Sequence, residues 1–242
     1  MASNNWNSYI NQIDLNYIRT FKFLKLCYPG DVMNRTYPST TRSFKYSFIE
    51  RNKGLLTGKW LDIGSGGLQI DVLHNPGMEL VRADINPATH PDVIMDATKE
   101  FPFPDDHFDG IISLSMLEHL EEPGAFFKEC RRVLKKEGYL LLQTPFLYPY
   151  HGTENCGDYV RWTHQKMEKE AKNFFDDVEV HRQGGRYSLL LEITNLSLPP
   201  FARWVLLPAS PIMKWLDNNL LSPAEKKRGK SFYLAIFLKA RK

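Results

Sequence analysis

The chain has 242 residues, of which 43% are hydrophobic and 24% charged, enough apolar material for one sizeable core without disulfide or metal staples. Its formal net charge of +3 is too small to argue for a nucleic-acid partner. Cys27, Cys130 and Cys156 are scattered without CxxC pairing, which predicts a reduced, cytoplasmic protein rather than a disulfide framework.

Residues 1–57 are rich in aromatic and polar residues and predict a helical lead-in to a domain at 58–242. The opening MASNNWNSYINQ has no basic stretch running into an apolar one, so no secretory signal is expected. KWLDI (Lys59–Ile63) reads as a short strand entering a glycine turn, and LQIDVLH after it carries a helical pattern. Strands follow at Glu79–Ile85 and Asp92–Ala97, each holding an acid near its end. His107–Met116 is a fourth strand, and its continuous apolar run predicts burial on both faces. Pro123–Gly138 reads as a helix: proline stands at its start, glycine at its end, and Phe126, Phe127, Cys130, Val133 and Leu134 recur at helical spacing. Tyr139–Phe146 is a fifth strand. A helix around Gln165–Phe175, a strand at Val178–Arg182 and a final strand at Ser231–Ala240 complete the pattern.

This alternation predicts an α/β fold: a mainly parallel sheet with helices on both faces. Residues 185–230 stand outside it as a proline- and tryptophan-bearing insertion, expected to pack as a lid. Its apolar character also leaves a homodimer surface or a peripheral membrane contact open. The closest approach to a spanning segment, Leu189–Leu216, is broken by Glu192, Arg203 and prolines, so no transmembrane helix is expected. The basic residues from Lys226 to Lys242 read as a solvated tail flanking the last strand.

LDIGSGG (Leu61–Gly67) is the strongest signal. In a parallel sheet the first strand-to-helix turn lies at the carboxyl ends of the strands, where ligands bind. Gly64 and Gly66 permit a tight turn and close approach to bare backbone, and the N–H groups of a following helix are available beyond it. A dinucleotide would want a third glycine where Gln69 stands, and Asp62 would repel a pyrophosphate. Asp62 suits an ammonium instead, which favours S-adenosylmethionine. Asp84, about twenty residues on, is spaced to grip a ribose diol, and Asp96 at the third strand end can accept from the adenine amine.

The motifs LDIGSGG, RADINP, MDATKEFPFPDDHFDGIISLSMLEHLEEP and RRVLKKEGYLLLQTP resemble those of the class I S-adenosylmethionine-dependent methyltransferases, in particular the group related to ubiquinone and menaquinone C-methylases. The likeness covers about residues 57–182. It implies a Rossmann-like seven-stranded sheet whose last strand, here SFYLAIFLKA, is antiparallel. It also implies a cofactor site in which Asp62, Gly64, Ser65 and Gly66 hold the methionyl end. Asp84 would bind ribose with Ile85 beside the adenine, Asp96 and Ala97 would meet the adenine edge, and Ser113 and Leu114 would touch the methionyl part. Leu68 departs from the fuller family pattern, where a third glycine often stands.

Methyl transfer needs alignment and exclusion of water more than elaborate acid–base chemistry, so catalytic residues are weakly marked. Glu118 and His119 follow the fourth strand at the mouth of the site; His119 is a candidate general base or a packing residue. PYHGTENCGDYVRWTHQKM (Pro149–Met167) follows the fifth strand over the same end of the sheet and carries His151, Glu154, Asp158, Tyr159, Arg161, Trp162 and His164. Its H…DYxRxT form resembles methyltransferases of cell-surface polysaccharide and glycolipid pathways. That implies Tyr159 and Trp162 as flat surfaces for a sugar, with Arg161 either fixing an anionic group or pairing with Asp158 to hold the loop. Cys156, His151 and His164 match no common metal spacing and lack a carboxylate, so no metal is expected. The expected activity is methyl transfer to a small molecule or glycan, with O-methylation of a sugar as the specific form. C-methylation of a quinone- or lipid-like acceptor and a non-catalytic cofactor-binding subunit are the alternatives.

Overall fold

The computed structural model describes residues 40–66, 75–153, 156–199, 202, 206, 209–228 and 231–242. Most of the expected lead-in and the helix after the glycine turn, with Leu68 and Gln69, lie outside them, as do Cys27 and Glu154.

The sheet has seven strands: β1 (Gly58–Ile63), β2 (Met78–Asp84), β3 (Val93–Ile94), β4 (Phe108–Leu114), β5 (Leu134–Pro145), β6 (Asp177–Gln183) and β7 (Ala235–Arg241). Their order across the sheet is β3-β2-β1-β4-β5-β7-β6. The first five run parallel, and β7 lies antiparallel between β5 and β6. The expected antiparallel last strand is therefore an interior strand, and its run Ala235–Leu238 is fully buried. The sheet order reverses direction at β1, so the crevice at the carboxyl ends of β1 and β4 is the topological switch point where ligands bind.

Alternation along the strands divides the core into two layers. Leu61, Ile63, Ile111, Leu140, Leu142, Ile236 and Leu238 face one layer, which Phe126, Phe127, Cys130, Met167 and Ala171 complete. Trp60, Ile112, Leu141 and Phe237 face the other, packed against Phe44, Phe48 and Ile49. The helices supplying those residues are α1 (Thr40–Arg51) on the second face, with α2 (Gly124–Val133) and α3 (His164–Ala171) on the first. Helix α3 starts where Thr163 Oγ1 accepts from Lys166 N–H, a side-chain cap of the usual kind.

Four boundaries differ from expectation: the helix expected to reach Phe175 ends at Ala171, the last strand begins at Ala235 rather than Ser231, and two others have a visible cause. Helix α2 ends at Val133, not Gly138, because Leu134 pairs with Phe108 in the sheet. Residues 135–138 then bulge opposite Asp109 before Tyr139 resumes pairing with Gly110, and the Lys135 ammonium reaches Asp109 at 2.9 Å. The apolar positions alone could not separate a helical last turn from a strand start. The third strand is also shorter than Asp92–Ala97, since only Val93 and Ile94 pair with β2.

The 185–230 insertion contains α4 (Arg186–Ser197), α5 (Ala209–Asn219) and α6 (Pro223–Arg228). The Asp217 carboxylate accepts from the first-turn N–H groups of Tyr187 and Ser188 at 2.8 and 3.0 Å, which ties α5 to the start of α4. Buried Glu192 accepts from Thr40 N–H at 2.9 Å, joining the insertion to the lead-in helix.

Candidate active site

Strand β1 delivers Asp62 and the glycine turn to the switch point. Gly64 has φ +76°, and a Cβ there would come within 2.5 Å of Met116 Cγ. The packing of Met116 explains that glycine as fully as any ligand does. Gly66, at φ +56° with no described atom closer to a Cβ there than the Gly64 carbonyl at 3.9 Å, is the bare stretch of backbone that a ligand can approach. Ser65 stands half-buried between them.

Asp62 is buried and takes no hydrogen bond from the described residues. Burial, with the neighbouring Asp84 carboxylate second, pushes its pKa up to about 7, while Arg82 pulls the other way. A buried carboxylate with no partner is costly unless a cation meets it. Asp84 is buried too, but accepts from Gly66 N–H and Asn86 N–H, both at 2.8 Å. Beside it Ile85 is 62% exposed, an apolar shelf at the strand tip. Asp96 accepts from Thr98 N–H and hydroxyl at 2.9 and 2.6 Å and meets Lys99 at 3.2 Å. Those bonds hold its carboxyl below the usual range, and Ala97 packs into the core.

Ser113 is buried and its hydroxyl donates to the Ile63 carbonyl at 3.0 Å, locking β4 to β1. Leu114 packs against the second core layer. The turn at Ser115 (φ +61°) is closed by Ser115 N–H on the Gln143 carbonyl and by Ser115 Oγ on Gln143 Oε1, both at 2.8 Å.

The short 3-10 turn Leu117–His119 follows. Glu118 is fully buried, and burial raises its pKa. Its Oε2 accepts from Thr144 Oγ1 at 3.2 Å, and its carbonyl from Tyr159 N–H at 2.9 Å. His119 is joined through Nδ1 to the Gly157 carbonyl at 2.5 Å, and its ring meets the His151 ring edge-on at 5.0 Å between centroids. His151 Nδ1 lies 3.2 Å from Asp158 Oδ2, and Asp158 also accepts from His151 N–H at 3.0 Å. Thus two of the expected site segments, after β4 and after β5, come together as one cluster.

Arg161 forks onto the Asp158 carboxylate through Nη1 and Nη2 and also donates to the Val160 and Pro149 carbonyls. The guanidinium holds the Asp158 carboxyl well below the usual range. Of the two roles open from sequence, the pairing that holds the loop is the one formed. Trp162 is a correction: it is 5% exposed, packed in the core, and offers no face to a sugar. Tyr159 and Tyr150 are exposed, at 58% and 75%. The Cys156 thiol is raised by burial and by the fields of Glu118, Asp84 and Asp158, so this loop spans from the cluster toward Asp84.

Glu118 is the residue that sequence undervalued. Its signal was available: an acid and a histidine directly after β4 must lie beside whatever follows β5, because the two strands are neighbours.

Residues 61–142 match the sequence profile of a family described as a methyltransferase domain. Two curated relatives, probable S-adenosylmethionine-dependent methyltransferases from two strains of Mycobacterium tuberculosis, are 39% identical over 46 residues, 19% of this chain. That stretch spans 17% of the relatives' own length. A solved S-adenosylmethionine-dependent methyltransferase from Archaeoglobus fulgidus superposes with a TM-score of 0.53 at 17% identity, covering 83% of this chain and 94% of its own. Phosphoethanolamine N-methyltransferase 2 from Haemonchus contortus, solved with S-adenosylmethionine, gives 0.50 at 18% identity, covering 88% and 59%. The chain thus carries a methyltransferase-domain match over residues 61–142, about a third of its length, on a fold shared with solved S-adenosylmethionine-dependent methyltransferases.

Proposed function

We propose that the protein is an enzyme that moves a methyl group from S-adenosylmethionine to a hydroxyl of a small-molecule or glycan acceptor. The carrying observation is Asp62, a buried carboxylate without a hydrogen-bond partner among the described residues, beside the strand-tip acid Asp84. Such a site calls for a positively charged ligand, and this cofactor brings both an ammonium and a sulfonium. The residues fit it in other ways. Asp84 keeps acceptor capacity for a diol after its two backbone bonds, Gly66 offers bare backbone, and Ile85 offers an apolar face for a purine.

The cofactor supplies an electrophilic methyl carbon. As the oxygen–carbon bond forms, the sulfur–carbon bond breaks with its electron pair remaining on sulfur, and the hydroxyl gives up its proton. The chain's part is to hold the acceptor in line, keep water away and receive or ease off that proton. The Glu118–His119–His151 cluster is the group of ionisable side chains placed for the last task. Exposed Tyr150 and Tyr159 on the same segment support a sugar-like acceptor, since flat rings pack against sugar faces. The insertion, with Leu190, Ile193 and Ile212 exposed, would form the acceptor-side lid and carries any dimer or membrane contact. A cytoplasmic location accords with the unpaired thiols of Cys130 and Cys156.

Calorimetry with S-adenosylhomocysteine, followed by label transfer from S-adenosylmethionine to a panel of glycans, quinones and lipids, tests this reading. Binding in the micromolar range and label on an oxygen of a glycan are expected. No binding at millimolar cofactor would end it. Binding with transfer only after a partner protein is added would favour the non-catalytic subunit.

A further inference from the structure

Glu118 and His119 stand after β4, and His151 after β5. One ligand-capable atom of each lies within 4.8 Å of those of the other two. Glu118 Oε1 is 4.0 Å from His119 Nε2 and 3.9 Å from His151 Nε2. Glu118 is fully buried, yet Oε1 has no hydrogen-bond partner among the described residues. Native interiors seldom leave such an atom unpaired without a reason.

The two imidazoles are prepared in the same way. His119 Nδ1 meets the Gly157 carbonyl, and His151 Nδ1 meets the Pro149 carbonyl at 3.2 Å, with Asp158 Oδ2 also 3.2 Å away. Each partner accepts from Nδ1–H and so fixes the tautomer. Both Nε2 lone pairs, the ones nearest Glu118, are left available. A carbonyl or carboxylate on the far nitrogen is the outer-shell arrangement that metal-binding histidines use. It also gives Asp158 and its Arg161 clasp a purpose, since together they fix the second histidine.

We propose that Glu118 Oε1, His119 Nε2 and His151 Nε2 bind one divalent first-row transition ion of the zinc class, with at least one coordination position open. Two imidazoles and one carboxylate form the donor set of catalytic sites, which keep such a position, rather than of closed structural ones. Bonds of about 2.1 Å at tetrahedral angles put ligand atoms about 3.4 Å apart. Both Glu118 Oε1 contacts, at 4.0 and 3.9 Å, must shorten by about half an ångström, and the two Nε2 atoms, within 4.8 Å of one another, by up to about 1.4 Å; the exposed His151 segment supplies the movement. This revises the expectation of no metal, which weighed Cys156, His151 and His164. The carboxylate and second imidazole come instead from the end of the neighbouring strand. An acceptor oxygen in the open position would lose its proton more readily; that role rests on the methyl-transfer reading, whereas ion binding does not.

The test uses the full chain, stripped with chelator and titrated with Co²⁺ while its visible absorption is followed. One Co²⁺ per chain is expected, with the intense bands of a four- or five-coordinate site, displaced by Zn²⁺. His151→Asn and Glu118→Gln should each weaken binding at least tenfold, and Cys156→Ser should leave it unchanged. Thermal melts check folding, and His151→Asn, at a partly exposed position, keeps the test open if Glu118→Gln does not fold. Equal Co²⁺ affinity in the wild type and both variants, or no stoichiometric binding, overturns the proposal and leaves His151 as a plain base. S-adenosylhomocysteine calorimetry on the same samples reads the cofactor site separately. Co²⁺ binding without cofactor binding supports the metal site and defeats the methyltransferase reading; the reverse result defeats the metal site alone.

Discussion

The Asp84 carboxylate accepts from the backbone N–H of Gly66 at 2.8 Å, so the tip of β2 holds the turn that leaves β1. A ligand gripping Asp84 therefore meets a turn already in position. Asp84→Ala removes the diol acceptor and frees both Gly66 and Asn86 N–H groups. A hydrogen bond to a charged group contributes about 1.5–3 kcal/mol, so affinity for S-adenosylhomocysteine is expected to fall by about 10- to 100-fold. Titration calorimetry reads the change, and a variant that binds as tightly as the wild type would remove Asp84 from the cofactor site.

If Asp62 meets the cofactor's ammonium as proposed, cofactor binding is expected to depend on pH. Burial pushes the Asp62 carboxyl in the free protein up to about 7, so at pH 6 it is expected to be mostly protonated. An ammonium beside it stabilises the charged form, and binding must then release a proton. Affinity should rise with pH from about 5 to 7, by up to tenfold per unit, and level off above 7. The stability of the free protein moves the other way. A folded pKa above the unfolded 3.8 gives a contribution that is full below pH 3.8 and is lost as pH rises through 7. Asp62→Asn should flatten both profiles. Calorimetry in buffers of different ionisation enthalpy counts the proton, and zero release at pH 6 would contradict the assignment.

The half of the candidate site proposed to bind cofactor was legible because its geometry is local. A strand, an acid and closely spaced glycines fix Asp62, Gly64 and Gly66 within a few residues, and short apolar runs placed β1, β4 and β5. Ser113 shows the limit: its position at a strand end was right, but its hydroxyl serves the β1–β4 seam through the Ile63 carbonyl. The acceptor side depends on contacts across the chain, such as His119 with Gly157 and Glu118 with Thr144. No periodicity carries those. Trp162 was misjudged for a related reason, since an aromatic residue in a polar segment reads as a binding surface until its neighbours are known.

Arg161 and Asp158 form the clasp of the loop. Asp158's side chain is 1% exposed, so Arg161→Ala strands a buried carboxylate and lets His151 drift. Transfer activity should fall at least tenfold while S-adenosylhomocysteine affinity changes less than twofold. Arg161→Lys should restore little, because a single ammonium cannot replace the two-pronged contact. Loss of cofactor affinity as large as in Asp84→Ala would show that the two halves of the site are not separable.

Gly110 offers a control remote from that loop. It lies in the middle of β4, where a Cβ would come within 2.4 Å of the Trp60 ring on β1. Trp60 is fully buried, and its indole N–H is fixed on the Thr57 carbonyl at 2.9 Å, so the ring cannot swing aside without breaking that bond. Gly110→Ala should therefore destabilise the protein by about 1–3 kcal/mol or more, the usual cost of overpacking a close-packed core. Urea unfolding should show a lower midpoint with the slope unchanged. The folded fraction should bind S-adenosylhomocysteine normally, since neither Gly110 nor Trp60 belongs to the cofactor turn. A midpoint equal to the wild type would mean that β1 and β4 are less tightly packed than the ring contact implies.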